Sequence, residues 1–419
     1  MSYREWKEWF LSLPWLLRWF VVLVLIRPVI DNFYELKNIS PLISPLNIVG
    51  VLTPVLVIAA SAKWKTKFDS VIDFYFKLWT LFIVISVVFL FIFDPVSLLF
   101  YEYLLRLTMP IYIYFFLRLL IRSKKDLHGI LQTFLYSAVF VLAIFLYEVF
   151  VNPIRVVESR GLERIQGHYG DVLNYSIYLT MGFLIVCYFY FTQSKTKKTS
   201  KRMRNVLIAG GIAILMLFKI NHSASYIIFA SLTLLFISFN FRRDSDTTIF
   251  MVTMIVGLMY FFGQELINEK LNPLFKTDIA VYEGEKESDR LLHGRVARWR
   301  MMMDKFYDSP ASAQLLGIPL KQEYPYYWIS SNAHNDFLRI LMLNGVLGLV
   351  VYILIMVNLY RRFRYLFYDQ KFLSIGAMTT MVLYSISTTP TLYPVVLYII
   401  YAVFAYAALP INYIKENNV

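Results

Sequence analysis

Twelve apolar runs of roughly twenty residues each, separated by short polar stretches, decide what this chain can become. They lie near 13–33, 42–62, 71–93, 98–120, 128–150, 172–192, 205–220, 224–241, 247–264, 336–358, 371–388 and 392–409. A helix of about 20 residues crosses a hydrocarbon core of about 30 Å. Lipid offers the backbone no hydrogen-bond partner, so such a run must satisfy itself as a helix. Composition agrees: the chain is 58% hydrophobic and only 16% charged, with a mean hydropathy of +0.56. A soluble domain carries about 25% charged residues. The expectation is an all-α integral membrane protein of about 12 transmembrane helices, with residues 1–419 forming a single polytopic domain.

The formal net charge of +13 would suit nucleic acid, but its distribution does not. The basic residues gather in alternate loops: Lys63, Lys65 and Lys67; Arg118, Arg122, Lys124 and Lys125; Lys195 through Arg204; Arg242 and Arg243; Arg361, Arg362 and Arg364. The intervening loops hold little beyond Lys37 and the cluster Arg155, Arg160 and Arg164. By the positive-inside rule both termini are cytoplasmic. No basic-aromatic nucleic-acid module is present. The N-terminus lacks a small-residue cleavage site, so the first run reads as a retained span flanked by Trp6, Trp9, Trp15 and Trp19. The single cysteine, Cys187, can form neither an internal disulfide nor a zinc site.

This topology leaves two larger loops outside, 151–171 and 265–335, the second preceding the tenth span. Leu292, Val296, Trp299, Met303 and Phe306 recur at spacings of four and three, which predicts a helix in that loop. Ser288 and Asp289 suit its start and Ser309-Pro310 its end. Arg295 and Arg298 share a neighbouring face, so the helix would lie on the membrane surface or at the bundle mouth.

Three places could carry chemistry. Arg164 lies in Glu163-Arg-Ile-Gln-Gly-His-Tyr-Gly-Asp171, where Gly167 and Gly170 would let a phosphate approach closely. The plainer reading is an ion pair with Glu158 or Glu163. Arg290, Arg295, Arg298 and Arg300 could clamp a pyrophosphate, or simply face water and headgroups. His334 in Ser330-Ser-Asn-Ala-His-Asn-Asp-Phe-Leu338 sits where the long loop meets a span. It could act as a general base, or cap the span together with Asn335 or Asp336. Arg339, Asn344, Gly345 and Gly348 follow it inside that span, where polar groups usually face a cavity.

Weaker signals are the Asp244-Ser-Asp246 metal-sugar pattern, the acidic row Glu283, Glu285, Glu287 and Asp289, the pair Glu102 and Arg106, and the outer turn Asn221–Ser225. Plain loops and solvated turns account for the first two. There is no P-loop, dinucleotide fingerprint, HExxH or GxSxG.

Ala333-His-Asn-Asp-Phe-Leu338 followed by Leu343-Asn-Gly-Val-Leu-Gly348, with Gly294-Arg295, Trp299, Pro310 and Leu315-Leu-Gly-Ile-Pro319 upstream, resembles the O-antigen ligase and O-antigen polymerase superfamily. Arg164-Ile-Gln-Gly167 resembles that family's first outer arginine motif. The resemblance implies a GT-C-like fold and a metal-independent, cofactor-free glycosyltransferase of the bacterial inner membrane, working at the periplasmic face. It would move a glycan en bloc from undecaprenyl pyrophosphate to a hydroxyl of a second, lipid-linked glycan. Membrane lipids and other envelope-polysaccharide assembly proteins would be its partners. Carried over to this chain, Arg164 and Arg295 would hold the pyrophosphate and His334 would deprotonate or orient the acceptor, with Arg298, Arg290, Asn335, Asn174 and Gly167 binding substrate.

Two places depart from the family pattern. Asp171-Val-Leu-Asn174 replaces a Pro-Asn pair, and Ala224 follows Ser223 where many members have arginine. The polymerase is the first reading and the ligase acting on lipid A-core the second. A glycan-lipid flippase or other transporter is the alternative from another class. Transporters usually show two related halves, and the halves here differ.

Overall fold

The computed structural model describes residues 1–39, 44–65, 70–93, 98–152, 156–159, 162–167, 172–192, 199–317 and 333–416. Each of the twelve apolar runs falls on a helix. In chain order the helices are α1 (Tyr3–Ser12), α2 (Trp15–Asp31), α3 (Leu36–Ile39), α4 (Pro45–Lys63), α5 (Val71–Phe93), α6 (Leu98–Leu120), α7 (Lys124–Phe150), α8 (Val172–Phe191), α9 (Thr199–Ile220), α10 (Ser223–Arg243), α11 (Ser245–Leu266), α12 (Asn272–Tyr282), α13 (Leu291–Tyr307), α14 (Ala311–Leu316), α15 (Asp336–Phe363), α16 (Tyr368–Ser387), α17 (Pro394–Ala407) and α18 (Ile411–Glu416). Among the described residues seven are long and apolar enough to cross a membrane: α4, α5, α7, α8, α9, α10 and α15. The other runs are interrupted by charge or cut short. α2 carries Arg18, Arg27 and Asp31, and α17 has 14 residues.

One feature departs from an all-α chain. Within the 151–171 loop, β1 (Val156–Ser159) and β2 (Leu162–Ile165) form an antiparallel hairpin. The β-branched Val156, Val157 and Ile165 suit extended backbone, and Val156 pairs with Ile165.

Contacts gather the chain into two compact units. The first comprises residues 1–140, 299–367 and 381–419. Here α1, which carries Arg4, Glu5, Lys7 and Glu8, is docked by its tryptophans. Trp6 Nε1 donates to Thr133 Oγ1 at 2.9 Å, and Trp9 Nε1 to Asp126 Oδ1 at 2.9 Å. Gly129 is needed beneath them, because a Cβ there would stand 2.4 Å from the Trp9 ring. Deeper in the unit Asp73 receives Arg118 Nε at 2.7 Å and Nη2 at 2.8 Å, and the Tyr114 hydroxyl at 2.8 Å. Both members of this ion pair are buried. Removing two charges from water is costly, and the bidentate geometry with an added hydroxyl is what offsets it.

The second unit comprises residues 141–298 and 368–380. Its centre is α8, which buries most of its length, Cys187 included, against α9 and α10. Phe191 meets Phe236, Phe239 and Phe372. At the same end the Tyr190 hydroxyl donates to Asn240 at 2.8 Å, Asn240 Nδ2 donates to Thr248 at 2.9 Å, and the Arg243 guanidinium lies 4.8 Å from the Tyr190 ring.

Candidate active site

In the second unit the hairpin fixes Arg164. Strand side chains alternate between faces. Glu158 pairs with Glu163 in the register, and Arg164 pairs with Val157. The two carboxylates therefore leave one face and Arg164 leaves the other, so the ion pair considered from the sequence does not form among the described residues. Arg164 is half-buried, and its Nε and Nη2 are buried without a hydrogen-bond partner there. Burial lowers the pKa of this guanidinium, which is the signature of a cation held away from water.

The hairpin rests on the 221–225 turn after α9. Asn221, left-handed at φ 48°, donates from Nδ2 to the Glu163 carbonyl at 2.9 Å. The Tyr226 hydroxyl donates to the Leu217 carbonyl at 2.9 Å, and its polarity is felt at Arg164. His222 Nδ1 and Ser225 Oγ lie 2.6 Å apart. The structure thus brings the first arginine motif and the 221–225 turn together, a pairing that sequence spacing did not show. Gly167 has a packing reason to be glycine besides the one its position suggested. At φ 77°, a Cβ on it would stand 1.8 Å from the Tyr175 ring, so the glycine admits an aromatic ring, and a phosphate is not needed to explain it. Asn174 is buried in the first turn of α8. His168 through Asp171 lie outside the described residues.

The long-loop arginines sit on a helix whose first turn is irregular. Leu292 has φ 49° and Gly294 φ 79°. In that first turn α12 supplies a cap, Asp278 Oδ1 accepting the Leu292 N–H at 2.6 Å. A short 3-10 turn, Ser288–Arg290, precedes the helix and leaves Arg290 exposed. Arg295 is half-buried, and burial, then the neighbouring Arg298, push its pKa down while Asp278 acts the other way. Two guanidiniums near enough to repel one another make a site that gains from an anion. The acidic row nearby is exposed at Glu283, Glu285 and Glu287. Asp244 caps α11 through the Thr247 N–H at 3.4 Å, so the Asp244-Ser-Asp246 pattern is a helix start.

In the first unit His334 is half-buried and left-handed at φ 47°. Just before it the Ala333 carbonyl accepts the Trp299 indole at 2.8 Å. Just after it Asn335 caps α15, its side chain accepting the Leu338 N–H at 3.0 Å. The capping considered for this segment thus falls to Asn335, whose side-chain oxygen is committed to it.

α15 is not one helix. Gly345, at φ 67° and ψ −175°, breaks it. The freed Leu343 carbonyl accepts the Ser86 hydroxyl at 2.5 Å, while Asn344 accepts Trp79 Nε1 at 3.2 Å and donates to Ser86 at 2.8 Å. Asn344 was expected to face a cavity; α5 satisfies it instead, as broken backbone inside a membrane requires. The break also accommodates the end of α14. A Cβ on Gly345 would stand 2.2 Å from the Leu315 carbonyl oxygen, and one on Gly317 2.1 Å from that of Leu343. The two glycine motifs are therefore two sides of one backbone contact. The second piece, 346–363, extends about 27 Å at 1.5 Å per residue, a little short of a hydrocarbon core of about 30 Å.

Residues 183–353 match the family model described as O-antigen ligase. Over this region the chain is similar to the O-antigen ligase and polymerase superfamily. The match takes in the 221–225 turn, the arginines of α13, His334, the first piece of the broken helix and the start of the second, to residue 353. Arg164, Gly167 and Asn174 precede it. The superfamily acts in membrane glycan transfer on lipid-linked substrates. No curated protein matches the chain.

Proposed function

We propose that this O-antigen ligase-family protein transfers a glycan from undecaprenyl pyrophosphate to the hydroxyl of an acceptor glycan at the outer face of the inner membrane. Twelve crossings with both termini inside would place the 151–171 hairpin and the 265–335 loop on that face. The observation that carries the reading is Arg164, a desolvated guanidinium whose Nε and Nη2 meet no partner among the described residues. A pyrophosphate supplies the missing acceptors.

In the reaction, the acceptor oxygen attacks the anomeric carbon as the bond from that carbon to the pyrophosphate oxygen breaks. His334 accepts the hydroxyl proton, and the lipid pyrophosphate leaves with its electron pair. Arg164 and Arg295 meet the charge that develops on it, assisted by Arg298 and Arg290. Such preorganised cations stabilise the transition state without reorganising at the moment of reaction, and histidine is well matched to proton transfer near neutral pH. The Trp299 indole holds the backbone beside His334.

We favour the polymerase over the ligase because the departures at Asn174 and Ser223-Ala224 suit a specialised member. The test is the glycan profile of a deletion strain, with the lipid carrier analysed alongside. Single repeat units left on the acceptor, with loss of the longer ladder, identify the polymerase. Long chains stranded on undecaprenyl pyrophosphate identify the ligase. Complementation with His334→Ala or Arg295→Ala should give the deletion profile while the protein stays in the membrane. A normal profile from both variants would refute the site.

A further inference from the structure

We infer that Thr391, far from His334 in sequence, is a positioning residue for it; the inference rests on the transfer reaction proposed above. A left-handed, non-glycine backbone persists only where its surroundings over-determine it. At His334 the surroundings are visible on both sides. Upstream, the Ala333 carbonyl is tied to Trp299. Downstream, Asp336 is fully buried, and each of its oxygens is committed. Oδ1 accepts Arg339 Nε at 2.8 Å and the Thr391 hydroxyl at 2.7 Å; Oδ2 accepts the Thr391 N–H at 3.1 Å. Arg339 Nη2 in turn donates to the Thr391 hydroxyl.

Thr391 Oγ1 therefore accepts from the arginine and donates to the carboxylate, a double task that a hydroxyl can perform and a methyl cannot. Arg339 alone would neutralise Asp336 within its own helix turn. What Thr391 adds is attachment to a distant part of the chain, the 3-10 turn Pro390–Leu392, every residue of which is buried. That turn thereby sets where α15 begins, and so where the two-residue step back to His334 lies. Nothing about the Ser387–Tyr393 stretch in the sequence marks it as part of the site.

The experiment uses the full-length protein in proteoliposomes and, as donor and acceptor, the lipid-linked glycan extracted from the deletion strain. Thr391→Val should lower kcat by about tenfold, equivalent to about 1.4 kcal/mol of barrier, with KM for the glycan within about twofold of wild type. Thr391→Ser, which keeps the hydroxyl, should restore the rate. Trp299→Phe, which keeps the ring and removes the N–H upstream of His334, should also lower kcat. A wild-type kcat in folded Thr391→Val, a loss confined to KM, or a loss that serine does not restore would each overturn the inference. If Thr391→Val fails to insert, Thr391→Ala decides, because it removes the same hydroxyl with a smaller side chain; an unchanged kcat there refutes the positioning. Failure of the wild-type protein to convert the glycan would instead sink the transfer reading, before any variant is compared.

Discussion

Replacing Gly345 by alanine tests the break in α15 directly. Two costs follow from the structure. The backbone at φ 67° and ψ −175° lies where only glycine is comfortable, and forcing another residue there costs about 1–3 kcal/mol. The new methyl would also stand 2.2 Å from the Leu315 carbonyl oxygen, a rigid backbone atom. Overpacking of this kind costs about 1–3 kcal/mol more. With an unfolding entropy of about 2.1 cal/mol/K per residue, a chain of this length loses roughly 1 °C for each 0.9 kcal/mol, so Gly345→Ala should lower Tm by about 2–7 °C. The assay is thermal unfolding of purified protein in one detergent, followed by loss of the monodisperse gel-filtration peak. Gly182→Ala and Gly211→Ala are the controls. Each lies in a helix with open space where its Cβ would go, and each should leave Tm equal or slightly raised. A Gly345→Ala protein that melts with wild type would show that the helix does not break there.

Two further predictions concern charge. Arg164→Met should abolish product yet hold or raise Tm, because it removes a desolvated cation that has no hydrogen-bond partner among the described residues; a folding defect measured in the same thermal assay would mean that the arginine is structural. Asp73→Asn should do the reverse, destabilising the protein by about 3–5 kcal/mol through the stranded Arg118, while the specific activity of the surviving folded fraction stays close to wild type. Equal Tm for Asp73→Asn and wild type would count against that ion pair.

The helices were legible because their signal is local. An apolar run of twenty residues announces itself, and every interval read from the sequence falls on a helix. What lay beyond reach was pairwise and distant. The sequence gives Gly317 and Gly345 as members of separate motifs, but that each makes room for the other's backbone depends on two positive φ angles. Gly167 showed the converse, a glycine whose local setting suggested phosphate and whose neighbour is the Tyr175 ring. The alternation of the 156–165 hairpin carries Arg164 away from Glu158 and Glu163, yet no strand is expected in a chain whose dominant period is helical. The helix in the long loop was readable from its stripe; its cap, Asp278, lies on another helix and was not. Thr391 offered no signal, because an isolated threonine in a short apolar turn resembles any other. The Glu102–Arg106 pair falls partly outside the described side chains.

A helix in two pieces also behaves differently when the bilayer changes. Where a continuous span meets a thicker or thinner membrane it tilts as a rod, and everything attached to its end moves with it. Here the first piece, 336–344, is fastened at one end to the Pro390–Leu392 turn and at the other to α5 through Ser86 and Trp79. The second piece, 346–363, is joined to it through the glycine break. A tilt of 346–363 that answers a change in bilayer thickness would then be taken up at the glycine rather than passed to the segment that carries the histidine.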